Sequence, residues 1–297
     1  MPIEKGSAAT QKPADGKRPV KKLKQKLASL VLAQALEAPD KDALAGRPLS
    51  LEQAFSLALG PIERIGVAGA YWKLSATTAD YHLAIRHYGR LGVLQKLVER
   101  HGRANDAALI AAAMTAGQAG IHKTHVEAVT AQHELAILLR QSTADSLPLA
   151  EDLPLAAAYR TSFASIFATR SAPARARLID RTLPIRLREI KARADAVLAA
   201  DEAFRSQQEA YRLGQIYLPA ALSADTALRG QWQQFGAAVY AYNQDILEYA
   251  GMVGGHTASD ASLVEMLIDV KTKASPGWTP KQQPTLAEPL DSVIRRK

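Results

Sequence analysis

Residues Leu228, Trp232, Phe235, Val239, Tyr242, Ile246, Tyr249 and Val253 are spaced 4, 3, 4, 3, 4, 3, 4 without a lapse. That rhythm puts every one of them on a single stripe of an α-helix seven turns long and excludes a strand, whose side chains alternate with period two. Three other stretches carry the same pattern. Tyr71, Leu74, Thr78, Tyr81, Ile85 and Tyr88 form one seam, on a helix expected from Ala70 to Glu99 and ended by His101-Gly102. Ile110, Met114, Gly117, Ile121, Thr124, Ala128, Ala131, Leu135 and Leu138 form a second, rich in small residues that allow close approach. Ile190, Ala194, Val197, Asp201, Phe204, Gln208 and Tyr211 form a third, with two polar lapses.

Short breaks join these helices in pairs, which forces antiparallel hairpins. The expected fold is therefore all-α: two long antiparallel helical hairpins, a coiled-coil-like bundle in tandem repeat, with disordered tails. Hairpin one covers about 62–140 and hairpin two about 185–254. Between them lies a connector, 141–184, interrupted by Pro148, Pro154, Pro173 and Pro184, with one helical stretch expected near 156–168. The hairpins and connector make one domain, 46–254. Residues 1–45 read as a basic, largely disordered segment ending in a short amphipathic helix over 21–37. Lysines before LASLVLAQA imitate a secretory signal, but the basic part is too long and Gln34 and Glu37 interrupt the apolar core. Residues 255–297 read as a tail with a short helix at 260–271. In residues 46–61, Ser50 followed by Gln53 is a capping box opening one short helix.

Charge and composition narrow the function. The net charge of +8 resides in the ends: residues 1–27 are net +6 and residues 271–297 net +4, which leaves 28–270 at −2. A nucleic-acid or anionic-surface partner would then be held by the tails, and this is the alternative reading, with nucleic acid not favoured. The chain has no cysteine, so thiolate chemistry and disulfides are excluded. No GxGxxG, GKS/T or GxSxG motif occurs. His122 and His125 share a helix face but lack further ligands, His82 and His87 are five apart and face differently, and His133-Glu134 has Ile137 where HExxH needs histidine. Acidic residues abound, but none is paired in an apolar setting that would shift a pKa. We expect no enzyme activity, and assign no catalytic, metal or cofactor residue and no cofactor. Arg170, Arg175, Arg177 and Arg181 crowd into TRSAPARARLIDR and are candidate anion contacts. Tyr71, Trp72, Leu74, Tyr81, Tyr88, Gly117, Ala128, Trp232, Phe235 and Tyr242 are the candidate helix-packing and interface residues.

Several segments, in order, resemble the TolC-like outer-membrane efflux protein family. PLSLEQAFSLAL (48–59) is similar to the family's opening LTLEEALxLAL, and AYWKLSATTADYHLA (70–84) to its AYWxLxxAxxxxxxA helix. AVTAQHELAILL (128–139) is similar to the end of the first hairpin, and RLIDRTLPIRLREIKARADAVLAAD (177–201) to the segment opening the second repeat. EAYRLGQIYLPAALSADTAL (209–228) and AVYAYNQDILEY (238–249) are similar to xxYRAGxxxLLDVLDAQxxL and AxxxYNxALAxY. The resemblance implies an elongated protein of the cell envelope, periplasmic or associated with the outer membrane. Such proteins self-associate as trimers and work in efflux with an envelope adaptor and an inner-membrane pump. LALGP runs straight into AYWKL, however, and the helix after Pro184 runs straight into EAYRLGQ. The barrel strands of the family therefore have no place here, and membrane association is left open.

Overall fold

A computed structural model describes residues 18–39, 42–103, 105–142, 146–159, 161–254 and 259–268. The expectations of disorder at 1–17 and beyond 268 lie outside these residues. The described elements run α1 (Arg18–Leu36), β1 (Arg47–Leu49), α2 (Leu51–Ser56), α3 (Pro61–His101), α4 (Asp106–Leu138), β2 (Pro148–Ala150), α5 (Phe163–Ile166), α6 (Ala174–Arg212), α7 (Leu218–Val253) and α8 (Asp260–Leu267). The protein is all-α, built on two antiparallel hairpins, α3–α4 and α6–α7. The hairpins pack side by side through α3 and α7, and α1 lies against α3 and α6.

The four long helices have 41, 33, 39 and 36 residues, or about 50–60 Å each at 1.5 Å per residue. Most of their seam residues form one core, while Tyr81 and Ala128 pack with Leu44, Ile85 and Ile121 in a second, smaller cluster. Leu74, Leu94, Ile110, Leu135, Ile179, Ile190, Phe235 and Ile246 are all at most 3% exposed. Burial of these stripes, not helix propensity alone, holds helices this long together.

Local chemistry sets the boundaries. The capping box at Ser50 and Gln53 is formed in both directions, and α2 is the short helix expected. Helix α3 starts at Pro61, well before Ala70, because proline favours the first helical turn and Gly60 serves as N-cap. At its other end Gly102 keeps φ −67, so no left-handed turn demands glycine. The demand is steric: a Cβ there would lie 2.3 Å from the Val98 carbonyl oxygen. The α6–α7 turn does use the left-handed region, at Gly214 with φ +72.

Two sequence expectations need correction. Pro184 does not end the connector: α6 begins at Ala174, straight after Pro173, and runs through Pro184. Ile179, Leu183 and Leu187 continue the buried seam across the proline, whose own side is solvent-exposed. That burial offsets the cost of a proline inside a helix, about 3 kcal/mol for the lost hydrogen bond and the ring clash together. The connector accordingly spans 141–173, and its helix is only Phe163–Ile166. Secondly, Leu138 is 46% exposed and Leu139 only 4%. Leu139 caps α4 with αR backbone four residues after buried Leu135, so it continues the stripe in place of Leu138, and only then does Arg140 turn with φ 55.

The β structure is small: β1 and β2 pair in parallel, with Arg47 opposite Pro148 and Leu49 opposite Ala150. This ribbon ties the chain entering hairpin one to the chain leaving it.

Candidate functional site

Three sets of polar groups inside the bundle each join segments distant in sequence. The first lies between α3 and α7. Asp225 is fully buried on α7, and its Oδ1 accepts from Arg90 Nε at 2.5 Å while Oδ2 lies 2.7 Å from His87 Nδ1. Burial pushes the carboxyl pKa up, but His87 and Arg90 together outweigh it, and the net pKa lies below the ordinary value. Arg90 also rests 5.6 Å from the centre of the Phe204 ring, which brings α6 into the same junction.

The second set fastens the connector. The Tyr71 hydroxyl donates to the Leu49 carbonyl (2.8 Å) and accepts from the backbone N–H of Glu151 and of Asp152 (both 2.9 Å). Asp152 Oδ2 accepts from the Leu51 N–H at 2.7 Å, at the start of α2. Gln132 on α4 donates to the carbonyls of Ala45 and Pro148. On α7, Asn243 accepts from the Leu155 N–H and donates to the Leu155 and Val239 carbonyls. Tyr242 donates to the Ala157 carbonyl and accepts from the Tyr159 N–H, and Tyr249 donates to the Thr161 carbonyl. The inner helix of each hairpin thus carries a polar ladder on which an extended segment lies. Burial pushes Tyr71 far above its ordinary pKa, with Asp152 adding to it, so the phenol keeps its proton.

The third set closes the two loop ends on each other. Tyr211, at the end of α6, donates to Asp106 Oδ2 at 2.9 Å at the start of α4. The Arg103 guanidinium stacks 3.9 Å from the centre of the Tyr217 ring. The loops of both hairpins therefore lie at the same end of the molecule.

Among the predicted packing residues, Tyr71, Trp72, Leu74, Tyr81, Ala128, Trp232, Phe235 and Tyr242 are all buried. Tyr71 and Trp72 meet edge-to-face at 5.2 Å, and so do Trp232 and Phe235 at 6.4 Å. Gly117 is buried where α4 crosses α3; a Cβ there would lie 3.1 Å from Leu91 Cδ1 and 3.2 Å from Tyr88 Cδ2. Tyr88 is half-buried, on an open groove of about 550 Å³ between α3 and α4, with Gln95, Val98, Ile110 and Met114.

The four candidate arginines do not converge. Arg175 pairs with Glu248 (2.6 Å) and Asp245 (3.2 Å) on α7. Arg170 donates to the Val253 carbonyl and rests on the Phe167 ring. Arg177 and Arg181 point outward without a partner among the described residues. As for the histidines, His82 Nδ1 meets the Leu36 carbonyl at 3.2 Å, His125 stacks on Tyr81, and His122 is exposed. Among the described residues no group of three or more His, Cys, Asp or Glu could hold a metal ion. Among the same residues no helix is long and apolar enough to cross a membrane.

The expectation that no acidic residue is paired in an apolar setting that shifts its pKa needs correction. Besides Asp225, Asp80 on α3 lines a small cavity of about 20 Å³ enclosed by Leu32 and Leu36 of α1, Trp72 of α3, and Trp232 and Tyr240 of α7. Burial, then the nearby Glu127, push its pKa up to about 6 from 3.8, with Arg229 opposing. Heptad counting misses such residues because it registers only apolar positions. A faint signal existed in Asp225, which lies on the backward extension of the Leu228 seam, three residues before it.

The Asp80 shift has a definite sign. The folded state holds this proton more tightly than the unfolded chain, so its contribution to stability falls as pH rises from about 4 to about 6. Asp80→Asn should raise stability at pH 7 by about 1–2 kcal/mol and remove that part of the pH dependence. Urea unfolding of both proteins at pH 4 and pH 7 checks this; equal differences at the two pH values would refute it.

No family model matches the chain, and no curated protein matches it.

Proposed function

We propose that this chain is a non-enzymatic, TolC-like helical protein of the cell envelope, serving in an efflux or outer-membrane transport assembly or as a helical scaffold derived from one. The observation that carries this reading is the arrangement of the two hairpins. They are long, lie side by side, and turn at the same end, where Asp106–Tyr211 and Arg103–Tyr217 join their loops. The order of sequence segments that resembles that family maps onto this arrangement one after another. Helices α3 and α6 run unbroken through the places where the family carries barrel strands, so the reading is of the helical body without its barrel.

The work of such a body is mechanical. Internal polar ladders fix the hairpins relative to each other, while outer faces are left for neighbours. The outer face of α4 presents Ala108, Ala112, Thr115, Ala119 and Val126 to solvent, and the segment 107–121 contains no charged residue. The groove beside Tyr88 lies on the same hairpin. A second copy, or the helical hairpin of an adaptor, would pack against these surfaces.

Light scattering on the full chain over a wide range of concentration tests the reading. Self-association, to trimers in the form the family takes, is expected, with Ala112→Glu shifting the equilibrium toward monomer. A strictly monomeric species at every concentration would count decisively against an assembly-forming body.

A further inference from the structure

The arginines in the first half of α6, from Arg175 to Arg188, are sorted into two kinds. Arg175 and Arg186 turn toward α7 and share Asp245, which is 5% exposed. Arg177, Arg181 and Arg188 are exposed and have no ion-pair or hydrogen-bond partner among the described residues. At 100° per residue, these three together with Leu178 and Ile185 fall within an arc of about 100° over a length of about 17 Å. Leu178 is 49% exposed and Ile185 55%. No carboxylate lies within that arc over 174–192: Asp180 is bonded to Thr161 and Glu189, at the edge, is paired with Arg193.

We propose that this outward face of the first half of α6 docks the protein on an anionic phospholipid surface. The pattern is that of an interfacial helix, with cationic side chains placed to meet lipid phosphates and aliphatic side chains between them to enter the headgroup boundary. A nucleic-acid surface would use the arginines but would give Leu178 and Ile185 nothing to enter, and no aromatic side chain lies in the arc for a base to stack on. The exposure of both aliphatics among unpaired arginines is what favours lipid. Pro184 lies at the margin of the same arc, on the exposed side of the helix.

The experiment is co-sedimentation of the full chain with vesicles of phosphatidylcholine containing about one third phosphatidylglycerol, compared with pure phosphatidylcholine. The basic tails are present in every sample, so the variants must separate face from bulk charge. Arg177→Gln/Arg181→Gln/Arg188→Gln should weaken binding to the anionic vesicles roughly a hundredfold, about fivefold per arginine. Arg140→Gln/Arg205→Gln/Arg212→Gln, which removes the same charge from other exposed positions, should weaken it only a few-fold. Leu178→Ser/Ile185→Ser, both at exposed positions, should weaken it roughly tenfold at unchanged charge. Equal losses in the two arginine triples would overturn the proposal, as would an absence of binding to anionic vesicles. Duplex DNA binding that falls in step with the α6 triple, while the serine variant binds vesicles normally, would assign the face to nucleic acid instead and overturn it equally.

Discussion

Replacing Asp225 with alanine is expected to destabilise the fold by about 3 kcal/mol, a fall in Tm of about 6–12 °C for a body of this size. The reason is not a lost attraction alone. The substitution leaves Arg90 and His87 facing each other inside the α3–α7 junction with no anion between them, and His87 is only 7% exposed. Arg90 side chain is 21% exposed and retains some hydration, which keeps the cost at the lower end of the range for a broken buried pair. The pH dependence has a fixed sign. Because the folded pKa of Asp225 lies below the ordinary 3.8, its contribution is complete above that value and is lost as pH falls through the folded value. Thermal unfolding at pH 7 and pH 3 should therefore show a large gap between the parent and Asp225→Ala at neutral pH and a smaller one in acid. Arg205→Ala, which breaks only an exposed i,i+4 pair with Asp201, should change stability by no more than about 0.5 kcal/mol. A loss from Asp225→Ala as small as that would show that the junction is hydrated rather than sealed.

Tyr71→Phe should cost about 2 kcal/mol although it removes one oxygen and leaves the ring in place. That oxygen accepts from two backbone N–H groups and donates to one carbonyl. Phenylalanine would remove these bonds where Tyr71 is fully buried, while the Glu151 N–H and the Leu49 carbonyl keep each other at 3.1 Å. The effect should also be local. Amide hydrogen exchange at Glu151 and Asp152 should accelerate more than exchange at Ile190 or Val197, far along α6, because the β1–β2 ribbon and the start of the connector lose their common anchor. Uniform acceleration across the bundle would mean that Tyr71 supports global stability and does not hold the connector.

These two residues mark the border between what was legible in the chain and what was not. The four long helices, their pairing into hairpins, the capping box at Ser50 and the turn at Gly214 follow from local rules. Such rules involve residues within one or two turns of each other, so they can be read by counting. Tyr71 was legible as a buried seam residue but not as the hydrogen-bonding centre of a connector about 80 residues away. Pro184 misled because the local rule against proline in helices was outweighed by burial of Ile179, Leu183 and Leu187 in the core, which no local window contains.

By itself the sequence determined that this chain would be a set of long amphipathic helices, because a seam with 4, 3 spacing can bury its apolar side in no other regular conformation. It also determined that the hairpins would be antiparallel, because their loops are short. Only the tertiary structure decided which helix of one hairpin meets the other, where Asp225 would find Arg90, and which arginines of α6 would turn inward to Asp245 and which would face outward. Those outcomes depend on partners up to 135 residues apart. Charge pairing and desolvation act through space, and nothing in the spacing along the chain records where the chain will return.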